Sequence, residues 1–186
     1  ALLLSTGGHD VVRLVRRAAT APDEVEWDPD RSRIDRAALA GVDAVVHLAG
    51  EGIADHRWTG TRKRRILDSR VRGTRVLAEA LAALEPRPRV LVSASAVGVY
   101  GDRGDTVLDE QSPTGDDFLA TVCRAWEAAA EPAARAGIRV VHPRFGIVLS
   151  PAGGALAKLL PPFRAGVGGP LAGGGHWMST IGIDDV

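Results

Sequence analysis

Short, nearly continuous apolar runs alternate along the chain with longer segments whose apolar residues recur every three or four positions. The two periods predict strands and helices in turn. The runs VVRLV (11–15), AVVHL (44–48), VLVS (90–93) and IRVV (138–141) have the texture of parallel strands, and AVVHL reads as buried on both faces. EVEW (24–27) reads as a short edge-like strand, and residues 34–39 as a short helix capped by Ser32 or Asp35. Two helical stripes lie between the runs. One carries Leu67, Val71, Thr74, Leu77, Leu81 and Leu84. The other carries Leu119, Val122, Trp126, Ala129 and Ala133, with Gly137 as its stop. This alternation predicts an α/β fold built on a doubly wound parallel sheet. From Pro151 onward Pro161, Pro162 and Pro170 mix with many glycines, so the stretch reads as loop-rich. The expected division is a main domain over 1–149 and the beginning of a smaller region over 150–186. Residues 1–5 look like the tail of a helix and 184–186 like the start of one, so the sequence is expected to be cut at both ends.

Composition narrows the class. Of 186 residues, 45% are hydrophobic and 25% charged, which is enough apolar material for a core and too much for a disordered chain. The 23 basic and 23 acidic residues cancel, leaving no overall field to hold nucleic acid or an anionic membrane. A single cysteine excludes an internal disulfide framework and a Cys-based zinc cage, and it fits a reducing cytoplasm. The five histidines show no paired spacing on one helix face, so no metal site is expected. No apolar run reaches the roughly 20 residues of a membrane span, and the first residues lack the basic flank of a signal peptide. The expectation is a cytoplasmic domain whose partner is a small molecule, with its oligomeric state open.

In parallel α/β sheets ligands sit beyond the carboxyl ends of the strands. After the first run come Arg16 and Arg17. Their guanidinium forks match the oxygens of a phosphate such as a ribose 2′-phosphate; two solvated surface arginines are the alternative. After AVVHL come Ala49, Gly50 and Glu51, small enough at first for a flat ring or pyrophosphate to approach the backbone. After VLVS come Ser95 and, close by, Tyr100, which together can polarise a carbonyl or hydroxyl; a capping serine with a half-buried tyrosine is the alternative. No G-x-S-x-G elbow surrounds Ser93 or Ser95, which sets a serine hydrolase far back. Between Arg57 and Arg75, eight basic residues accompany one acid, Asp68. With Trp58 the lone stacking partner, a solvated helix face fits better than a nucleic-acid patch, with one or two arginines turned toward a nucleotide-type substrate.

The segments VVHLAG, RVRGTRVLAEAL, VSASAVGVYG, FLATVCRAWEAAA and HPRFGIVLS, in that order, resemble the extended short-chain dehydrogenase/reductases. They are similar, more narrowly, to the atypical nucleoside-diphosphate-sugar epimerase-like group, as are VEWDPD and FRAGVGGPLAGGGHWMSTIGIDDV. The resemblance covers essentially the whole chain. It implies an NAD(P)-binding Rossmann-like fold and an oxidoreductase or epimerase-like activity on a nucleotide sugar or related small molecule. It also implies a cofactor site drawn from Arg16, Arg17, Leu48, Ala49, Gly50, Glu51, Ser93, Cys123 and Pro143, with Arg16 and Arg17 favouring NADP(H) over NAD(H). The relatives' first strand and glycine loop would fall ahead of Gly7, so residues 1–149 are expected to lack both. Active relatives carry a Tyr and, four residues later, a Lys on the long helix. Aligned on Glu127, those positions hold Leu119 and Cys123; the relatives' helix Asn corresponds to Arg70, and their Ser to Ser95, with Ser93 as the second-choice register. The implied catalytic set is therefore Ser95, Tyr100, Cys123 and Arg70. Leu119 cannot transfer a proton and Cys123 lacks a fixed positive charge, so the familiar relay cannot run as such. A non-catalytic NADP(H)-binding sensor or scaffold stands beside the enzyme as the alternative.

Overall fold

The computed structural model describes residues 2–53, 56–170 and 173–186. After a short helix α1 (Leu2–Thr6), β1 (Arg13–Val15), β2 (Glu24–Asp28) and β3 (Arg33–Ile34) form a small sheet in that order. β1 and β2 are parallel, and β3 returns antiparallel to β2. The main sheet is fully parallel, with β4 (Ala44–His47) and β7 (Arg139–Val141) flanking β5 (Val90–Ser93). Beyond its strand ends, β6 (Ser95–Ala96) pairs with β8 (Arg144–Phe145), and β9 (Ile147–Leu149) pairs with β10 (Thr180–Gly182), both parallel. The helices are α2 (Gly60–Ala82), α3 (Phe118–Ala128), α4 (Glu131–Arg135) and α5 (Gly154–Arg164).

Local chemistry starts the two main helices. The Thr59 hydroxyl accepts the Arg62 amide (3.2 Å) at the head of α2, and the Asp117 carboxylate accepts the Ala120 amide (2.7 Å) at the head of α3. Val45, Leu91 and Val140 are in register across the main sheet and meet Leu77 and Leu81 of α2 with Ala130 and Ala133. Each such buried Leu contributes about 1.5–3 kcal/mol. A smaller cluster of Val99, Tyr100 and Cys123 holds α3 against the segment that follows β6.

Five expectations are corrected. AVVHL is covered on one face only. α2 and α4 lie over the row of Val45, while Val46 and Val141 on the opposite row stay 49% and 42% exposed. EVEW is the middle strand of its sheet rather than an edge, because β3 folds back to pair Trp27 with Ile34. That pairing takes Ile34 out of the expected helix and leaves a single 3-10 turn, Ala37–Leu39, capped by Asp35 through the Ala37 amide (2.9 Å) and not by Ser32. The second stripe is broken between Ala128 and Glu131. Pro132 has no N–H to return to the Ala128 carbonyl, and it restricts the residue before it. Gly137, at φ 85°, ends α4 as expected. The stretch after Pro151 also holds more order than its composition suggests, since α5 packs on β9 with Pro161 and Pro162 inside it. Among the described residues no helix is long and apolar enough to cross a membrane.

Candidate functional site

The carboxyl ends of β4, β5 and β7 are fastened into one rim. The Ala94 amide donates to the His47 carbonyl and the Ser95 amide to the Pro143 carbonyl, each at 2.9 Å. His142 Nδ1 lies 3.1 Å from the Ser93 carbonyl. Leu48, Ala49 and Gly50 leave this rim exposed, with Leu48 at 57%. Gly50 lies so close to α2 that a Cβ there would sit 3.2 Å from Arg70 Cζ, a contact that the Arg70 side chain would have to shift to relieve. Glu51 ties the rim to α2. Its amide donates to the Ser69 hydroxyl (3.2 Å), its carbonyl accepts from Arg70 (2.9 Å), and its carboxylate accepts from Arg62 and from Arg65 (3.3 Å). The basic stretch is thus neither a free patch nor a purely solvated face, since Arg62 is buried inside this lock.

Ser95 is 3% exposed, and its hydroxyl donates to Glu127 Oε1 at 2.6 Å. Arg144 grips the same carboxylate through Nε and Nη2, both at 2.9 Å, and its Nη1 donates to the Tyr100 hydroxyl at 2.8 Å. Burial pushes the Glu127 carboxyl up, yet the bonds from Arg144 and Ser95 win and hold it below the ordinary glutamate value. Glu127, Arg144, Tyr100, His142 and Pro143 line a cavity of about 590 Å³.

Cys123 is 4% exposed, and burial pushes its thiol up, so it is the neutral SH form at neutral pH. Arg70 stacks over Trp126 (4.9 Å to the ring centre) and is pushed down by burial, with Cys123 within electrostatic reach. Leu119 closes against Gly98, where a Cβ would meet Leu119 Cβ at 3.4 Å. The relatives' tyrosine position therefore presents hydrocarbon. Arg16 and Arg17 follow β1 on the small sheet, away from this cluster; Arg16 pairs with Asp30 (2.6 Å) and Arg17 with Glu24 (2.6 Å).

Ser95, Tyr100 and Cys123 are thus brought together, and Arg70 reaches the same neighbourhood from α2. Sequence reasoning gave no role to Glu127, Arg144 or Glu24. Glu127 lies 32 residues from Ser95 and Arg144 lies 17 from Glu127, so no local pattern links them. One usable signal was that Glu127 falls a single helical turn after Cys123, on the same face.

A parallel sheet with its polar side chains gathered at the strands' carboxyl ends defines a Rossmann-like dinucleotide-binding fold. Residues 1–167 match the NAD dependent epimerase/dehydratase family, and the chain belongs to that family of extended short-chain dehydrogenase/reductases. It is 44% identical over 182 residues to an epimerase family protein of Mycobacterium bovis, covering 98% of this chain and 60% of the relative. It is similar in structure to a human epimerase family protein, SDR39U1, solved with NADPH (TM-score 0.87, 36% identity, 99% of this chain and 61% of that one). A Corynebacterium glutamicum nucleoside-diphosphate sugar epimerase superposes with TM-score 0.84 at 45% identity, covering 98% of this chain and 37% of that one. The chain spans about 60% of the length of the mycobacterial relatives it matches.

The residues present fit a nicotinamide dinucleotide. Among the described residues Ser93 Oγ is buried at the strand end without a hydrogen-bond partner, the backbone at Leu48–Ala49–Gly50 is open, and two arginines stand at the end of β1.

Proposed function

We propose that the chain is the nucleotide-binding part of an NADP(H)-dependent oxidoreductase or epimerase-like protein acting on a nucleotide sugar or related small molecule. In this reading residues 1–149 hold the dinucleotide, residues 150–186 begin the substrate-binding region, and the protein works in the cytoplasm. The observation that carries it is the rim of Leu48, Ala49, Gly50, Ser93 and Pro143 at the carboxyl ends of three parallel strands. Arg16 and Arg17 would face the 2′-phosphate, and Leu48 to Glu51, Ser93, Cys123 and Pro143 the rest of the cofactor. The nicotinamide, when bound, supplies the hydride chemistry; the chain supplies orientation and hydrogen bonds from Ser95, Tyr100 and Arg70. The relatives solved with NADPH, or named as nucleoside-diphosphate sugar epimerases, support this reading.

Calorimetric titration tests the cofactor. The full-length protein is expected to bind NADPH at least about tenfold more tightly than NADH, or about 1.4 kcal/mol. Equal affinities would sink the preference. A second reading, a binding module that senses NADP(H) without turnover, is favoured by Leu119 packed on Gly98 and by the buried, neutral Cys123. A screen of sugar nucleotides following NADPH absorbance separates the two. Turnover abolished by Ser95→Ala supports the enzyme, whereas binding without turnover, unaffected by Cys123→Ala, supports the sensor.

A further inference from the structure

Glu24 is an acid beside two arginines expected to meet a phosphate, and it is the most thoroughly enclosed carboxylate of the small sheet. Its side chain is 2% exposed, against 56% for Arg17. Oε2 accepts from Arg17 Nη1 (2.8 Å), the Thr20 amide (3.0 Å) and the Thr20 hydroxyl (3.1 Å). Oε1 accepts from Arg17 Nη2 (2.6 Å) and faces Arg13 Nη2 at 3.4 Å. Arg17 Nη1 is further held by the Ala18 carbonyl and the Thr20 hydroxyl, both at 3.0 Å.

An acid near the adenosine ribose can act in two opposite ways. It can accept the ribose 2′-hydroxyl and so select NAD(H), or it can anchor a cation that selects the 2′-phosphate. The two oxygens of Glu24 already take four hydrogen bonds and the Arg13 contact, so no lone pair is left for a hydroxyl. The guanidinium tells the complementary story. Glu24 takes its end-on edge, Nη1 and Nη2. The side-on edge, Nε–H with the second Nη2–H, makes no hydrogen bond among the described residues. That edge is a bidentate donor of the geometry phosphate oxygens accept, and it belongs to a more than half exposed side chain whose rotation is stopped by a buried partner. A free arginine would have to give up its rotamer freedom on binding; this one has already done so.

We propose that Glu24 is the positioning residue that sets NADP(H) over NAD(H), holding Arg17 so that its side-on edge meets the 2′-phosphate. The inference rests on the cofactor reading above and deepens it. Glu24 itself touches no ligand.

The test is calorimetric titration of the full-length protein with NADPH and with NADH, as wild type, Glu24→Gln, Arg17→Lys, Arg17→Ala and the double variant Glu24→Gln/Arg17→Ala. In Glu24→Gln, NADPH affinity is expected to fall about tenfold while NADH affinity stays within about twofold, so the preference nearly disappears. Arg17→Lys keeps the charge but not the fork, and should lose a comparable share of the preference. In the Arg17→Ala background Glu24→Gln should have no further effect on the ratio. NADH affinity is the internal control for folding, because a damaged fold lowers both ligands together. If Glu24→Gln proves too unstable, Arg17→Lys with Arg17→Ala still decides, since equal loss of NADPH and NADH affinity in both overturns the inference. A wild-type preference that survives Glu24→Gln unchanged, or a selective loss of NADH binding, overturns the role of Glu24 alone. Absence of binding to either dinucleotide overturns the cofactor reading, and this inference with it.

Discussion

A neutral imidazole locked inside a fold couples stability to pH, and His47 is such a residue. It is 4% exposed, with Nε2 3.0 Å from the Thr74 hydroxyl and its ring edge-on to Trp27 at 6.0 Å. Thr74 also accepts the Trp126 indole N–H (2.9 Å), so β4, α2 and α3 meet at one hydroxyl. Burial pulls the His47 pKa from 6.5 down to about 4. The unfolded chain therefore takes up a proton below about 6.5 that the folded chain refuses until about 4. Stability is full above 6.5 and falls as pH drops through that window, by up to about 3 kcal/mol. Glu24, held down to about 2 chiefly by Arg17, acts in a lower window, its contribution being complete above 4.5 and lost toward pH 2. Urea midpoints for the wild type should thus fall between pH 7 and pH 5, and those of His47→Gln should be nearly level over the same range. A level wild-type profile there would mean that His47 carries a proton inside the fold. The cost of His47→Gln at pH 7 should be about 1 kcal/mol, for the lost contact to Thr74.

Helix α3 presents Leu119 and Cys123 where the resemblance calls for a tyrosine and a lysine, and its surroundings oppose putting that pair there. The relatives' tyrosine and lysine positions, Leu119 and Cys123, lie on the face of α3 turned toward Gly98, Val99 and Tyr100. The relatives' asparagine position holds Arg70, a cation pressed on Trp126 with Cys123 nearby. Leu119→Tyr with Cys123→Lys would place a second cation beside Arg70 in a largely buried setting, where like charges are costly. The double variant should melt several degrees below wild type, and adding Arg70→Asn should recover most of that loss. Equal melting temperatures for the double and triple variants would show that Arg70 does not oppose a lysine at 123. Elements such as β4, β5 and α2 were legible because their apolar period is set by burial against one shared core. α5 was not, because Pro161 and Pro162 together with the surrounding glycines mask a helix that packs back on β9, the strand just before it. The site divides along the same line. Ser95 and Tyr100 sit in one short motif and could be read as a pair. The Glu127–Arg144 clamp that holds both, and the Glu24–Arg17 fork, depend on where chain reversals deliver opposite charges, which no linear spacing records.

At the scale of the whole molecule, the main sheet is an unequal slab. Its inner row, Val45, Leu91 and Val140, is sealed by α2 and α4, while the neighbouring row, Val46, Val92 and Val141, forms an apolar stripe across three strands. Val46 is 49% exposed, Val141 42% and Leu48, just beyond the strand, 57%. Water is a poor neighbour for so continuous a stripe, and a second copy of the chain offers the same stripe to cover it. The formal net charge of zero adds no repulsion to keep copies apart. This chain is therefore expected to self-associate at tens of micromolar, with a mass above the monomer in light scattering after size exclusion. Val46→Thr combined with Val141→Thr keeps the β-branched shape that suits a strand and removes apolar surface only from the open row. It should shift the population toward monomer and change unfolding free energy by less than about 1 kcal/mol, because these side chains are already half in water. The matching change on the inner row, Val45→Thr, places a hydroxyl against Leu77 and Leu81 and should cost about 1–3 kcal/mol without reducing association. A strictly monomeric wild type at high concentration, or association that persists undiminished in the double threonine variant, would show that another surface governs how copies of the chain meet.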